Sequence, residues 1–251
     1  MRRATSWLAA GAAVLVAHPA CAAPAGGGVS VDDLLSRPLA LVVALAVVSL
    51  LPFVFMTVTA FVKISTVLQI VRGAIGAQGV PSGTVIMALS AALTLLAMAP
   101  VGSKILEKAG PLWDQGVKET GALVSGLVDA TREPMRGFLR ANSSEREKTR
   151  FLDVARTARP DPERAEVKGD DFAVLVPAFV TSELYTAFAI GFAIYLPFLI
   201  IDMVVANVLL ALGMQMLNPT QVSLPFKLLL FVAIDGWGLL SQALVAGYRA
   251  G

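Results

Sequence analysis

Long uncharged stretches fill the first and last parts of the chain. Pro38–Val62 and Thr84–Val101 contain no Asp, Glu, Lys or Arg, and Phe172–Leu212 contains only Glu183 and Asp202. About 20 consecutive apolar residues are enough for a helix to cross a bilayer. The hydrophobic pattern therefore predicts an all-α, membrane-type protein.

Turn residues divide these stretches into two long helical hairpins. Several glycines and Pro81 punctuate residues 73–81, inside a first hairpin of residues 38–103. Gly213–Thr220 predicts the turn of a second hairpin, residues 172–251, because Gly and an Asn-Pro pair favour a turn there.

The ends and the connection of the first hairpin suggest its orientation. Pro100–Gly102 is expected to end its second span. Lys63 and Arg72 have no acid near them in the sequence, so the excess of positive charge in short cytoplasmic loops places this connection in the cytoplasm. The segment that follows the hairpin is then periplasmic.

The segment between the hairpins, residues 104–171, is predicted to be a small helical periplasmic insertion. It holds 26 of the 38 charged residues, 13 basic and 13 acidic, so it is neutral and offers no basic stripe to a nucleic acid. Ser144–Glu147 is a capping box that predicts the start of a helix, and Pro160 and Pro162 are expected to end it. Pro134 is expected to divide the preceding helix.

The N-terminus has the composition of a cleavable signal peptide, residues 1–22, followed by a Gly-rich linker, residues 23–37. Two arginines precede the apolar run Trp7–Ala17, and Ala20–Ala22 fits a cleavage site. An uncleaved anchor is the alternative. Cleavage would remove the chain's single His and single Cys, which excludes Cys/His zinc sites, thiol chemistry and Ser-His relays. The sequence predicts no catalytic residue, no metal, no cofactor and no enzymatic activity.

Isolated charges within the second hairpin need an explanation, because a charge deep in a bilayer costs about 2.5–3.5 kcal/mol on insertion scales. These charges are Glu183, Asp202, Lys227 and Asp235. Structural pairing, such as Asp202 with Lys227 across the hairpin or between subunits, is the favoured interpretation, since a satisfied pair can fix the register of two helices. Proton or ion sites of a secondary transporter are the alternative.

Methionines mark the tip of the second hairpin. Met214, Gln215 and Met216 follow Gly213 in the predicted turn, where a role in a hydrophobic core is hard to argue. Methionine is flexible and fills irregular gaps without a fixed shape. A ring of such tips could form a deformable plug.

Three segments of the second hairpin closely resemble signatures of the FliP/SctR family of type III secretion export-gate proteins. They are Leu175–Leu184, Gly191–Val204, and Ser223–Val232 followed by Asp235-Gly236-Trp237. Ala60–Ile64 in the first hairpin also fits. The resemblance extends from about residue 38 to the end of the chain, and is looser in the insertion.

The resemblance implies a non-enzymatic channel subunit that forms a homo-oligomeric ring, described as pentameric. The implied partners are subunits of the SctS/FliQ and SctT/FliR kinds, and exported unfolded polypeptides. Met214 and Met216 would line the family's methionine gasket, although Gln215 stands where the family usually has a third Met. The implied location is the bacterial inner membrane, with several spans and a periplasmic part, and the finished assembly sits partly above the bilayer.

Two branches of the family compete. Lys63 in its Phe-Val-Lys-Ile context and Pro100–Gly102 favour the injectisome member, SctR, whereas a cleavable signal peptide is more usual in the flagellar member, FliP. The rivals from other classes are an ion-coupled transporter that uses Glu183, Asp202 and Asp235, and an intramembrane hydrolase, for which the sequence holds no assembled catalytic set.

Overall fold

The computed structural model describes residues 31–77, 79–114 and 120–249, and all regular secondary structure in these ranges is helical. The prediction of an all-α protein is confirmed. The predicted signal peptide, residues 1–22, lies outside the described residues, and the predicted linker overlaps the first helix from Val31 onwards. The helices of the described ranges are α1 (Val31–Val58), α2 (Phe61–Ile75), α3 (Gly83–Asp114), α4 (Thr120–Asn142), α5 (Glu145–Thr157), α6 (Asp161–Arg164), α7 (Phe172–Ala211), α8 (Pro219–Ala233) and α9 (Gly236–Ala246).

Among the described residues, two helices are long and apolar enough to cross a membrane. They are Gly83–Pro111 within α3 and Phe172–Ala211, which is the whole of α7. Two bent pairs meet the same criterion if each pair counts as one span: Val48–Val58 with α2, bent by 70°, and α8 with α9, bent by 57°. Up to four candidate spans fit the predicted membrane type.

Helix α2 lies at the centre of the larger compact unit, which begins at Ser49. The described residues 31–48 belong to a separate unit. The apolar residues of α2 recur every three or four positions, and the C-terminus of α2 is capped by Gly76 at a positive φ of 74°. The prediction that Lys63–Arg72 is a short connection is therefore wrong, and its placement in the cytoplasm stays a prediction. Four α2 residues of the hydrophobic core have no solvent exposure: Ile64, Val67, Leu68 and Val71.

Helices α2 and α7 pack closely at Gly191 of α7. A methyl group added at this glycine would lie 2.6 Å from Cδ1 and 2.9 Å from Cγ2 of Ile70, both closer than carbon atoms can approach. The absence of a side chain at Gly191 therefore lets Ile70 pack directly on the α7 backbone.

We expect Gly191→Ala to lower the free energy of unfolding by about 1–3 kcal/mol, because overpacking forces neighbouring side chains or helices to shift. Ile70→Val in the same chain should recover part of the loss. The matched control is Gly102→Ala in α3, where the added methyl would meet nothing within 4 Å. Removing this helical glycine should leave stability unchanged or raise it by about 0.5–1 kcal/mol. Thermal unfolding of the detergent-solubilised protein distinguishes the variants, and equal behaviour of the two glycine sites would contradict the packing argument.

The charged insertion is helical and packs on α7. Ser144 caps α5, since its side-chain oxygen accepts a hydrogen bond from the Glu147 N–H at 3.3 Å, as the capping box predicts. Helix α5 ends at Thr157, and Pro160 precedes the short helix α6. A second buried cluster joins the insertion to the spans, and its members are Val101, Phe138, Leu139, Leu175 and Phe179.

Prolines interrupt the helices less than the sequence suggests. Helix α3 continues through Pro100 and Pro111, and α4 continues through Pro134, so the expectations that Pro100 ends a span and that Pro134 divides a helix are wrong. A proline inside a helix removes one hydrogen bond at a cost of about 3 kcal/mol. The full burial of Phe138 and Leu139, one turn beyond Pro134, offsets this cost for α4.

Candidate functional site

Each end of α2 is tied to the second hairpin by a buried lysine–carboxylate contact. At the N-terminal end, Lys63 Nζ lies 3.3 Å from Glu183 Oε1 of α7, and both side chains are buried. Lys63 Nζ also lies 3.7 Å from the ring centroid of Tyr248, which follows α9. The aromatic face and the carboxylate together compensate the ammonium charge.

Tyr248 completes this contact by linking the C-terminal segment to both helices. Its hydroxyl lies 3.0 Å from the Ala60 carbonyl oxygen and within hydrogen-bonding distance of Glu183 Oε2, and it donates its single proton to one of these acceptors at a time. Burial raises the pKa of the Tyr248 hydroxyl, and the Glu183 carboxylate raises it further. The hydroxyl therefore remains a neutral donor at physiological pH.

We expect Tyr248→Phe to lower the free energy of unfolding by about 1–3 kcal/mol, because it leaves buried acceptors without their donor while keeping the ring. Tyr185→Phe is the matched control, since Tyr185 is exposed and makes no hydrogen bond among the described residues. Denaturant or thermal unfolding measures both changes. Similar losses in the two variants would show that the hydroxyl contact contributes little.

The C-terminal end of α2 is held by Lys227 of α8. Its Nζ lies 2.6 Å from Asp202 Oδ2 of α7 and donates to the Ala74 carbonyl at 3.2 Å, in the last turn of α2. A cation at a helix C-terminus also complements the helix dipole. Ser223 donates a hydrogen bond to the other oxygen of Asp202. One lysine thus joins three helices, and Asp202 and Lys227 meet across the second hairpin.

The remaining predicted acid, Asp235, lies apart from both contacts. It occupies the break between α8 and α9, with φ 50° and ψ 52°, and its side chain is exposed. Among the described residues it makes no ion pair and no side-chain hydrogen bond. The structure therefore brings Asp202 and Lys227 together, gives Glu183 a partner in Lys63, and leaves Asp235 unpaired in this part of the chain.

The predicted methionine tip is an ordered turn whose side chains point outwards. Gly213 has a positive φ of 72°, and the Met214 N–H donates to the Leu209 carbonyl at 2.9 Å, which closes the end of α7. Asn218 caps α8, with its side-chain oxygen 3.0 Å from the Thr220 nitrogen. Between these caps, the three residues of the tip are exposed: Met214, Gln215, and Met216, whose side chain is 99% accessible to solvent.

Sequence reasoning missed Lys63 and Tyr248 as partners of Glu183. Lys63 is 120 residues and Tyr248 is 65 residues from Glu183 in the chain, so spacing gave no indication of contact. The sequence held one indication that Lys63 is buried and needs a partner: it lies within an apolar run that has helical periodicity. In the part of the chain that the structure describes, no three His, Cys, Asp or Glu side chains are grouped so as to hold a metal ion.

The fold and these contacts define a helical membrane-type protein with two buried lysine–carboxylate contacts and a methionine turn. Residues 44–244 match the FliP family, and the chain belongs to this family. It is similar to the hypersensitivity response secretion protein HrcR of Ralstonia nicotianae, with 42% identity over 209 residues, which cover 83% of this chain and 96% of the relative.

Two other relatives represent further systems. The Yop proteins translocation protein R of Yersinia pestis is 38% identical over 210 residues, or 83% of this chain and 95% of the relative. The flagellar biosynthetic protein FliP of Cereibacter sphaeroides is 43% identical over 231 residues, or 92% of this chain and 73% of the relative. In each of the three comparisons the matched region covers 83% or more of this chain.

Proposed function

We propose that this chain is an export-gate subunit of a type III protein secretion apparatus. The observation that carries this proposal is the family match over residues 44–244, which includes most of both hairpins, both lysine–carboxylate pairs and the methionine tip. Relatives are named as secretion, translocation and flagellar biosynthetic proteins. The chain's role is structural: it forms part of a conduit for unfolded polypeptides.

Several copies, five by resemblance, would surround the conduit with their hairpin tips directed inwards. Met214 and Met216 then form the deformable gasket, and Gln215 of each copy can hydrogen-bond to its neighbour around the ring. The exposure of Met216 supports this role, because a fully exposed Met contributes nothing to the fold of its own chain. Its flexible thioether suits a seal that must yield and then close.

Exposed apolar surface supports assembly with further subunits. One face of α7 carries large side chains that nothing in the described chain covers, and apolar patches of this kind mark protein or membrane contacts. By resemblance, the neighbours are further copies and subunits of the SctS/FliQ and SctT/FliR kinds. The exposed residues that define this α7 face are Tyr185, Phe188, Phe192, Leu199 and Met203.

The candidate spans support a place in the bacterial inner membrane, and we propose that the insertion, α4 to α6, faces the periplasm. The injectisome branch is the proposed one. Support comes from the sequence context of Lys63 and of Pro100–Gly102, which resembles the injectisome member. Coverage does not distinguish the branches, since the flagellar FliP of Bacillus subtilis is covered over 93% of its length.

The ion-coupled transporter is less favoured by the geometry. Glu183 and Asp202 each lie against a buried lysine, so two of the three proposed carriers are already engaged by fixed positive charges. A structural pair of this kind holds helices in register rather than exchanging a proton with solvent.

The mass of the complex extracted in mild detergent tests the proposal. The chain, expressed with the other subunits of its apparatus, should elute as an assembly of several copies with further membrane proteins. Deleting its gene should stop export of secreted proteins, and the plasmid-borne gene should restore it. A solitary monomer that supports solute uptake would instead establish a transporter.

A further inference from the structure

Two cavities of the larger unit meet at Lys63. A polar cavity of about 530 Å³ lies between the turn that joins α4 to α5, helix α7 and the segment after α9. An apolar groove of about 440 Å³ lies between α7 and the α8–α9 pair. Lys63, Thr186 and Gly247 line both, so the polar cavity adjoins one end of the groove. Together they form one site that is polar at one end and apolar along the rest.

The groove follows one face of α7 and one face of α9. Helix α7 contributes Thr186, Ile190, Ile194 and Phe198, which recur every four residues and therefore lie on the same side of the helix. Thr186 and Phe198 are 12 residues apart, so the groove is roughly 18 Å long at a rise of about 1.5 Å per residue. The facing residues of α9 and its end are also spaced by three or four: Leu239, Leu240, Ala243, Leu244 and Gly247.

The dimensions of the groove suit a single hydrocarbon chain. A volume of about 440 Å³ over a length of roughly 18 Å corresponds to a mean width of about 5–6 Å. A helix with its side chains is about 10–12 Å across, so it would cover the groove without filling it. The hydrocarbon core of a bilayer is about 30 Å thick, and one leaflet of about 15 Å is close to the length of the groove.

The carboxylates that line the polar cavity are already neutralised. Glu183 Oε1 lies 3.3 Å from Lys63 Nζ, and Glu147 Oε2 lies 2.9 Å from a guanidinium nitrogen of Arg150. Each acid therefore has a basic partner within the chain, and neither adds a full negative charge to the cavity.

Two arginines give the polar cavity an excess of positive charge. The side chain of Arg249 is exposed and makes no ion pair among the described residues. The Arg146 side chain is 76% exposed, and its Nε lies 3.9 Å from the Glu147 carboxylate that Arg150 already holds. Asn142 donates to the Arg249 carbonyl at 2.8 Å and accepts from the Arg249 N–H at 3.1 Å, which fixes this residue at the cavity. An anion is the complement of two such guanidinium groups.

We infer that the two cavities together bind one anionic phospholipid, with its phosphate at Arg146 and Arg249 and one acyl chain in the groove. The inference goes beyond the proposed export function and does not depend on it. A phospholipid joins an anion to a narrow apolar chain in one molecule, and basic pockets between membrane helices are typical sites for anionic headgroups. The proposed periplasmic position of the insertion puts the polar cavity at the headgroups of the outer leaflet.

Lipid retention tests this inference. The tagged chain is expressed with the other export-apparatus subunits, and the complex is reconstituted into bilayers of equal parts phosphatidylglycerol and phosphatidylcholine. After extraction in mild detergent, native mass spectrometry counts the lipids that remain bound. We expect the complex to retain phosphatidylglycerol over phosphatidylcholine about tenfold or more, because only the former has a headgroup with a net negative charge for the arginines to bind.

Neutral variants test the headgroup end of the site. Arg146→Gln combined with Arg249→Gln should abolish the preference for phosphatidylglycerol, while the hydrogen bonds from Asn142 to the backbone of residue 249 remain. The matched control is Arg132→Gln combined with Arg159→Gln, at two exposed arginines that line neither cavity. This control should retain the lipids of the parent complex.

A larger side chain in the groove tests the acyl-chain end. Ala243 lines the groove and is exposed, so Ala243→Phe occupies the space of the lipid without removing a packed side chain. We expect it to lower retention of phosphatidylglycerol about tenfold or more, because methylene groups of the acyl chain lose their buried position. Ala189→Phe, at an exposed alanine of α7 that lines neither cavity, should have no effect.

Four results would overturn the inference. Equal retention of both lipids by the parent complex, or an unchanged preference in the Arg146 and Arg249 variant, would show that the arginines do not select an anion. Full retention in Ala243→Phe would leave an anion at the arginines alone. Loss of another subunit or of the homo-oligomer from Ala243→Phe, with the lipid count unchanged, would make a protein helix the occupant. A solitary monomer that retains phosphatidylglycerol would contradict the proposed function and support the lipid site.

Discussion

Asp202→Asn is expected to lower the free energy of unfolding by ~3–5 kcal/mol and to prevent assembly of the complex. The reason is the burial of its partner: the Lys227 side chain is 4% exposed, and its ammonium group loses the carboxylate 2.6 Å away. Removing one member of a buried pair leaves an uncompensated charge, which costs more than the pair itself contributes.

The reverse substitution should be milder. Asp202 is 29% exposed and keeps the hydrogen bond from Ser223, so we expect Lys227→Met to cost about 1–3 kcal/mol. The double variant, Asp202→Asn with Lys227→Met, should recover most of the loss and much of the assembly, because a neutral pair of similar volume needs no compensation. A double-mutant cycle of unfolding free energies in detergent measures the coupling.

An ion pair with both members exposed is the control. Arg164 and Asp161 of α6 are in contact, and their side chains are 48% and 85% exposed. Asp161→Asn should cost less than about 1 kcal/mol, because water solvates both charges and salt screens them. Equal losses at the two sites, or a double variant no better than Asp202→Asn, would refute the argument that burial determines the effect.

Met214→Ala combined with Met216→Ala should open the assembled complex to small ions. Truncation removes the soft side chains that are proposed to close the conduit, while the turn keeps its hydrogen bonds at Leu209 and Asn218. The expected result is a severalfold rise in ion leakage across the membrane, with normal yield and mass of the complex. Conductance of the reconstituted complex measures the leak directly.

The matched control for the gasket changes the same residue type elsewhere. Met56 and Met87 are exposed methionines of α1 and α3, away from the tip, and their double replacement by Ala should not raise leakage. A leak equal to that of the tip variant would indicate a general effect of losing methionine. If the tip variant remains sealed, Met214 and Met216 do not form the barrier.

The sequence predicted the long apolar helices well because their physical signal is local. Phe172–Leu212 appears as one uncharged stretch broken by two acids, and α7 covers nearly the same range. The capping box at Ser144 was equally direct, since its two groups are three residues apart. The predictions that Pro100 and Pro134 interrupt helices were wrong, because both helices are stabilised by packing with residues far away in the sequence.

One contact of the candidate site could be predicted from the sequence and the other could not. Asp202 and Lys227 are 25 residues apart on facing helices of one hairpin, so their contact follows from the turn between them. Lys63 was predicted to lie in a short connection between helices, because a basic residue with no acid near it in the sequence is typical of such a connection. Its partners are supplied by α7 and by Tyr248, and only the tertiary structure brings them together.

The 120 residues between Lys63 and Glu183 also constrain how the protein is made. A ribosome adds about 5–20 residues per second. Glu183 is therefore synthesised roughly ten seconds after Lys63, and the Lys63 ammonium has no carboxylate partner during this time. During this interval α2 is not stable within the bilayer. It must be bound by an insertase or a chaperone, or remain at the membrane–water interface. Nascent chains arrested before Glu183 should therefore be targets for quality-control proteolysis, whereas chains arrested after Tyr248 should escape it.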